Sequence, residues 1–178
     1  LAGAGAIVLK SVFEEQIMMQ AHHMATYDSP EAGDYLSTYV RSHAIKEYID
    51  LIQETKRLCT IPVIASINCF SSSEWTDFAR TMQDAGADAL ELNILSLQTE
   101  KEYQYGLFEQ RHIDILSNVK KHVSIPVIIK LGTNLTNPIA LINQLYANGA
   151  TAVVLFNRFY QPDINIETKS YSSGEVFS

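Results

Sequence analysis

A (β/α)8 TIM barrel of the α/β class is the fold this sequence predicts, and three observations lead to it. Short, nearly continuous apolar runs rich in β-branched residues alternate along the chain with longer stretches of helical period, the pattern of βα units on a parallel sheet. "TIPVIASINC" returns in looser form as "SIPVIIKLG", and "AGADALELN" returns as "NGATAVVLFN", so one unit in which a helix ends at Gly and leads into a buried strand is repeated. No GxGxxG turn opens a helix anywhere, which favours a barrel over a doubly wound sheet, although the pattern alone also admits an open sheet.

The strands expected are 6–10, 62–68, 89–93, 126–131 and 152–157. Each is apolar almost throughout, as parallel strands covered on both faces are, and each ends in or just before a polar residue. The first long helix is expected over 42–58, where Ile45, Ile49 and Ile52 share a face, and the next over 73–85, with Trp75, Phe78 and Met82 at spacings of three and four. Ser73 is a suitable N-cap, while Gly86 and Gly149 stand where a helix end favours a left-handed residue. Helices over 107–122 and 138–148 complete the set, the latter after the turn-rich "TNLTNP". Between the first strand and the first long helix, 11–41 reads as a long loop or lid, with a short helix over 13–25 and a covering loop over 27–39. Loops longer than ~12–15 residues are either functional or carry small elements of their own. The whole of 1–178 is expected to be one domain.

Composition narrows the function classes. With 178 residues, 47% of them hydrophobic, the chain can bury a sizeable core. Its apolar runs are far shorter than the ~20 residues a spanning helix needs, and no signal-peptide pattern is present, so a cytoplasmic protein without membrane partners is expected. A formal charge of -7 argues against a nucleic-acid surface. Two cysteines, Cys59 and Cys69, are too few for a disulfide framework and point to a reducing compartment. His22 and His23 lack metal-ligand spacing and read as loop surface, and no metal site is expected.

In a barrel, side chains at the C-terminal ends of strands face the active site. Here those positions hold Lys10, Asn68, Asn93, Lys130 and Asn157, two lysines and three amides with no carboxylate pair and no Ser-His-Asp order. Amides and ammonium groups suit a planar, heteroatom-rich ring such as a flavin or a pyrimidine, and a lysine near such a ring stabilises negative charge on it. A single strand-end Asn or Lys more often ends a ladder or meets solvent. Five at equivalent ends carry more weight, Lys130 above all, because a lysine inside "VIIKLG" needs a polar partner. Cys69, next to Asn68, reads as a buried core cysteine rather than an acid-base group.

"GAGAIVLKS", "IPVIASIN", "GADALELNI", "IPVIIKLG" and "GATAVVLFNR", in this order and spacing, resemble the FMN-dependent dihydroorotate dehydrogenase family, most closely its dihydroorotate dehydrogenase-like branch. The resemblance covers most of the chain and is weakest over 13–39. It implies FMN as cofactor, with Lys10, Asn68, Asn93 and Lys130 at the flavin and Lys10, Asn93 and Asn157 at the substrate. It also implies oxidation of a carbon-carbon single bond by base-assisted proton removal and hydride transfer to flavin, with Ser96 at the base position three residues after Asn93. The family loop usually reads Asn-x-Ser-[Cys/Ser]-Pro-Asn, and this chain departs from it by carrying Leu97 and Gln98 at the last two positions. After the sixth strand, Arg158, Phe159, Tyr160 and Gln161 replace the family's small polar residues; Arg158 either pairs with an acidic substrate or with Asp163 or Glu167.

A whole barrel needs ~250 residues and commonly takes its phosphate site from the loops after strands seven and eight. The chain is therefore expected to cover roughly units 2 to 6 of the barrel, its central portion. A small-molecule substrate is the expected partner, and a homodimer is compatible with the reading. The alternative is a barrel without flavin or without catalysis, either a ligand-binding protein or a lyase or isomerase that uses Lys130 as nucleophile.

Overall fold

The computed structural model describes residues 3–13, 30–69, 72–94, 104–157 and 162–173. Five parallel strand positions lie side by side in chain order, each joined to the next across a helix. The first position is shared by β1 (Ile7–Val8) and β2 (Val12–Phe13), both paired with β3 (Val63–Asn68); β4 (Ala89–Asn93), β5 (Val127–Leu131) and β6 (Ala152–Leu155) follow. A doubly wound sheet reverses its strand order at a switch point, whereas a barrel adds each strand beside the last. The order here never reverses, so the sheet is part of a (β/α) barrel and the open-sheet alternative is excluded.

Registry sorts the side chains onto two faces. Ile64 stands beside Ala89, Ser66 beside Glu91, Glu91 beside Ile128, and Asn93 beside Lys130. Alternation then sends Val63, Ala65, Ile67, Leu90, Leu92, Val127, Ile129 and Leu131 to the other face, where every one is fully buried. Helices cover that face. From α1 (Pro30–Leu58), Tyr48 and Ile52 enter the core; from α2 (Ser72–Asp84), Trp75, Phe78, Ala79 and Met82 form a stripe about two helical turns long on one face. From α3 (Leu107–Lys120) come Phe108, His112, Ile115, Leu116 and Val119, and from α4 (Pro138–Ala147) Leu141 and Leu145. Each large aliphatic side chain, Met82 and each Phe among these contributes about 1.5–3 kcal/mol by leaving water, which is why these helices lie on the sheet.

The helix ends follow local chemistry. Asn137 caps α4, its side-chain oxygen accepting from the Ala140 N–H at 3.0 Å, with Pro138 as first helical residue. Gly86 and Gly149 leave α2 and α4 at φ +99° and +91°, a conformation that favours glycine, and each turns the chain directly into the next strand. At the opposite end of the barrel from the strand-end residues, Asp88 before β4 accepts from the Lys56 ammonium with both oxygens at 2.7 Å and from the Val63 N–H at 2.7 Å. That clamp joins the last turn of α1 to the starts of β3 and β4.

Three features depart from the sequence expectations. The helix expected over 42–58 begins at Pro30, so 30–41 of the anticipated long loop is helical, and Phe13, expected in a short helix, lies in β2; the rest of 14–29 is outside the described residues. Pro30 suits a first helical turn, where its missing N–H and fixed φ cost nothing. The strand expected over 6–10 is interrupted: between the pairs Val8↔Ile64 and Val12↔Ile67, the three residues Leu9, Lys10 and Ser11 face only Ala65 and Ser66, a bulge in a parallel pair. Finally, an antiparallel hairpin of β7 (Pro162–Asn165) and β8 (Ser170–Ser173) follows β6. Its turn is held by the Asn165 side-chain oxygen, which accepts from the N–H groups of Glu167 and Thr168, both at 3.0 Å.

Candidate functional site at the strand ends

The inner face of the sheet is polar where the strands end. Asn68 closes β3 and Asn93 closes β4, 7% and 2% exposed, and a buried amide is costly unless its donors and acceptor are used. Asn68 Nδ2 donates to the Asn93 carbonyl at 2.7 Å, and Asn157 Nδ2 donates to Asn93 Oδ1 at 2.5 Å. Asn93 Nδ2 in turn donates to Ser11 Oγ at 3.3 Å. Asn93 is thus the junction of three strand positions.

One layer deeper lies a second set. Ser66, fully buried, stands two residues before Asn68, and Glu91, 3% exposed, two residues before Asn93, both on the inner face by strand alternation. Ser66 Oγ donates to Glu91 Oε1 at 2.7 Å and is 2.7 Å from Ser11 Oγ. Lys130, a quarter exposed, brings its ammonium to 3.9 Å from the same Glu91 oxygen. The lysine in the apolar run of β5 therefore has its polar partner, a buried carboxylate on the neighbouring strand.

The bulge is sealed from outside. Leu9 N–H donates to the Ile64 carbonyl at 2.9 Å, the last ladder bond before it. The next main-chain pair on that edge belongs to Ser66, whose N–H donates to Tyr48 Oη at 3.0 Å and whose carbonyl accepts from the same hydroxyl at 3.2 Å. Burial pushes the Tyr48 phenol up to about 12, its bond to the Ser66 main chain working the other way and the charge of Glu91 adding to the rise.

Of the five strand-end residues expected at the site, the structure brings four, Asn68, Asn93, Lys130 and Asn157, into this connected set together with Glu91, Ser66 and Ser11. Lys10 sits in the bulge, exposed, and among the described residues it makes no hydrogen bond or ion pair. Ser96, Leu97, Gln98, His22, His23 and 158–161 lie outside the described residues. Cys69 is buried in the apolar core. Ser11, Ser66 and Glu91 were missed by reading strand termini alone; for Ser66 and Glu91 the signal was the period of two, which puts residues two before a strand-end Asn on the same face, whereas Ser11 is placed by the bulge, which has no sequence signal.

Beside Ile94, the residue that follows β4, α3 presents His112 with no exposed surface. Its Nδ1 is 2.8 Å from the Phe108 carbonyl, its ring meets Phe108 edge-on, and Nε2 has no hydrogen-bond partner among the described residues. Burial holds its imidazole below the ordinary histidine range, the Phe108 carbonyl opposing. A cavity of about 310 Å³ opens between α3 and α4, lined by Glu109, Ile113, Asn137 and Leu141 among others, and none of the strand-end residues borders it. Among the described residues no cluster of three or more His, Cys, Asp or Glu could hold a metal ion, and no helix is long and apolar enough to cross a membrane.

No family model matches the chain. Among curated proteins, the catalytic subunit of dihydroorotate dehydrogenase B (NAD(+)) from Methanocella arvoryzae is 35% identical over 170 residues, an alignment covering 93% of this chain and 54% of that protein. Subunits of the same name from Thermoplasma acidophilum and Thermoplasma volcanium are 30% and 28% identical, each alignment covering 94% of this chain and 54% of the relative. The chain spans about half the length of the curated relatives it matches. Among solved structures, a protein of Pseudomonas aeruginosa assigned as a dihydrodipicolinate synthetase superposes with a TM-score of 0.52 at 14% identity, over 85% of this chain and 44% of that one, a likeness of fold alone. Relatives of one name align along nearly the whole of this chain, through the strands that carry the polar network, so over its length the chain is similar to catalytic subunits of dihydroorotate dehydrogenase B (NAD(+)).

Proposed function

We propose that this chain forms part of an FMN-dependent oxidoreductase that removes two hydrogens from a carbon-carbon single bond of a dihydropyrimidine-like substrate. The observation that carries the reading is the convergence of Asn68, Asn93, Asn157 and a carboxylate-anchored Lys130 in one hydrogen-bonded set at the strand ends. A flavin edge alternates carbonyl oxygens with ring nitrogens; amides offer both a donor and an acceptor to such an edge, and an ammonium offers charge where electron density accumulates. Lys10, Asn68, Asn93 and Lys130 would hold the cofactor, and Lys10, Asn93 and Asn157 the substrate. Bound flavin supplies the hydride acceptor.

Ser96 is the proposed base. A serine hydroxyl needs a positioned acceptor for its own proton before it can take one from carbon. With Leu97 and Gln98 where the family pattern has proline and asparagine, we expect weak turnover of dihydroorotate itself. Lys130 is less suited to Schiff-base chemistry, since such a lysine needs an apolar pocket or a neighbouring cation and this one faces Glu91.

The test is reconstitution of the full-length protein with FMN. Retained yellow colour after desalting is expected, and a colourless protein overturns the cofactor assignment. Slow bleaching on addition of dihydroorotate is expected, abolished by Ser96→Ala with flavin retained; rapid bleaching overturns the expectation of weak turnover, and bleaching undiminished in S96A overturns the base assignment.

A further inference from the structure

An ionised carboxylate can only accept hydrogen bonds, a hydroxyl has one proton to give, and a carboxamide has a donor end and an acceptor end. Applied to the buried set, these rules leave one arrangement. Ser66 gives its proton to Glu91 at 2.7 Å, so in the 2.7 Å contact between hydroxyls Ser11 must be the donor. With its proton used, Ser11 accepts from Asn93 Nδ2, which turns Asn93 Oδ1 toward Asn157 Nδ2. Every bond in the series runs toward Glu91.

We propose that Glu91 is a positioning residue: acting through Ser66 and Ser11, it fixes which ends of Asn93 and Asn157 are donors and which are acceptors, and it anchors Lys130 beside them. A neutral amide in its place leaves the direction of the series through Ser66, Ser11 and Asn93 undetermined, because it can give a proton to Ser66 as well as take one, and the series running the other way then also has a donor for every acceptor. The carboxylate is 3% exposed and has two partners of the right kind, the Ser66 hydroxyl and the Lys130 ammonium, as a buried charge requires. Its charge is also felt by Tyr48, whose phenol it helps to raise. Position 91 thus selects the hydrogen-bond pattern offered to a ligand from a layer below it, and only the choice of FMN as probe rests on the function proposed above.

The experiment uses the full-length protein carrying Glu91→Gln or Ser66→Ala. E91Q keeps the shape while offering an N–H where only acceptance was available; S66A cuts the series between Glu91 and Ser11 and leaves the charge in place. The readout is the side-chain amide signals of Asn93 and Asn157 in 1H–15N spectra, assigned by their loss in Asn→Asp variants. Both signals are expected to move or split in both variants, while the main-chain spectrum away from the inner face stays put. Unmoved amide signals in folded E91Q and S66A overturn the proposal, and S66A alone carries the test should E91Q not fold. FMN titration gives a second readout: about tenfold weaker binding in each variant, the cost of one misdirected hydrogen bond. Unweakened binding in both overturns the ligand-facing consequence, whereas a parent protein that binds no FMN refutes the proposed function and leaves the amide test intact.

Discussion

Tyr48→Phe removes one oxygen atom and tests the account of the bulge. The ring is 7% exposed and keeps its packing, while the Ser66 N–H and carbonyl lose their shared partner at once. A buried main-chain group left without a partner costs about 1–3 kcal/mol, so two cost about 2–6 kcal/mol, reduced to about 2–4 kcal/mol where a water enters in place of the hydroxyl. Urea unfolding of the full-length protein followed by circular dichroism would show it as a midpoint lowered by about 1–2 M at an unchanged slope. A second signature follows from the phenol itself. Its folded-state value of about 12 lies above the ordinary 10.0, so the folded protein holds this proton more tightly, and the stability so gained is fully present below pH 10.0 and lost as the pH rises toward about 12. That loss amounts to about 2–3 kcal/mol in the parent and is missing in Y48F, so the gap between the two should narrow across the window. A variant within about 0.5 kcal/mol of the parent at neutral pH, or a gap that does not narrow, would refute the plugged-bulge account.

Two further outcomes are expected. Asp88→Asn should lower stability at neutral pH by about 1 kcal/mol, kept modest by the exposure of the Lys56 pair. The Lys56 and Val63 bonds hold the Asp88 carboxyl below its ordinary 3.8, so its contribution is present above that pH and disappears as the pH falls through the folded-state value, and acid titrations of parent and D88N should converge there. His112→Leu should flatten the pH dependence of stability on the acid side of neutrality: burial holds the folded imidazole below 6.5, so the unfolded chain takes up the proton first and the parent loses stability as the pH drops below 6.5. Urea midpoints measured between neutral pH and about pH 5 decide it, and equal slopes in parent and H112L would count against a neutral buried histidine.

The barrel strands were legible because parallel strands covered on both faces must be apolar almost throughout, and runs such as "IPVIASIN" and "IPVIIKL" match that demand with few alternatives. Strand ends were legible for the same reason, since Asn68, Asn93 and Lys130 interrupt apolar runs. What lies under them was harder to see. Glu91 within "ALELN" looks like the exposed half of an alternating strand until Ser66 and Lys130, on different strands, are brought against it. The bulge was invisible because an extra residue in an edge strand leaves its composition unchanged. The β7–β8 hairpin was missed because "PDIN" and "SYSS" carry no apolar alternation, and its turn depends on one asparagine side chain.

The count of residues between Val8 and Val12 has a meaning for how this protein tolerates insertions and deletions. In an unbroken strand, Lys10 would share the inner face with Ser66 and Ser11 would point at the helices. The extra residue resets the phase, so that Val12 pairs with Ile67 and Ser11 reaches the inner hydroxyl of Ser66. Removing one residue here would leave the hydrophobic pattern of the strand almost intact while exchanging the sides of every residue upstream relative to those downstream. The edge strand therefore works as a spacer of fixed length, and a homologous chain one residue shorter at this point would have to build a different inner face.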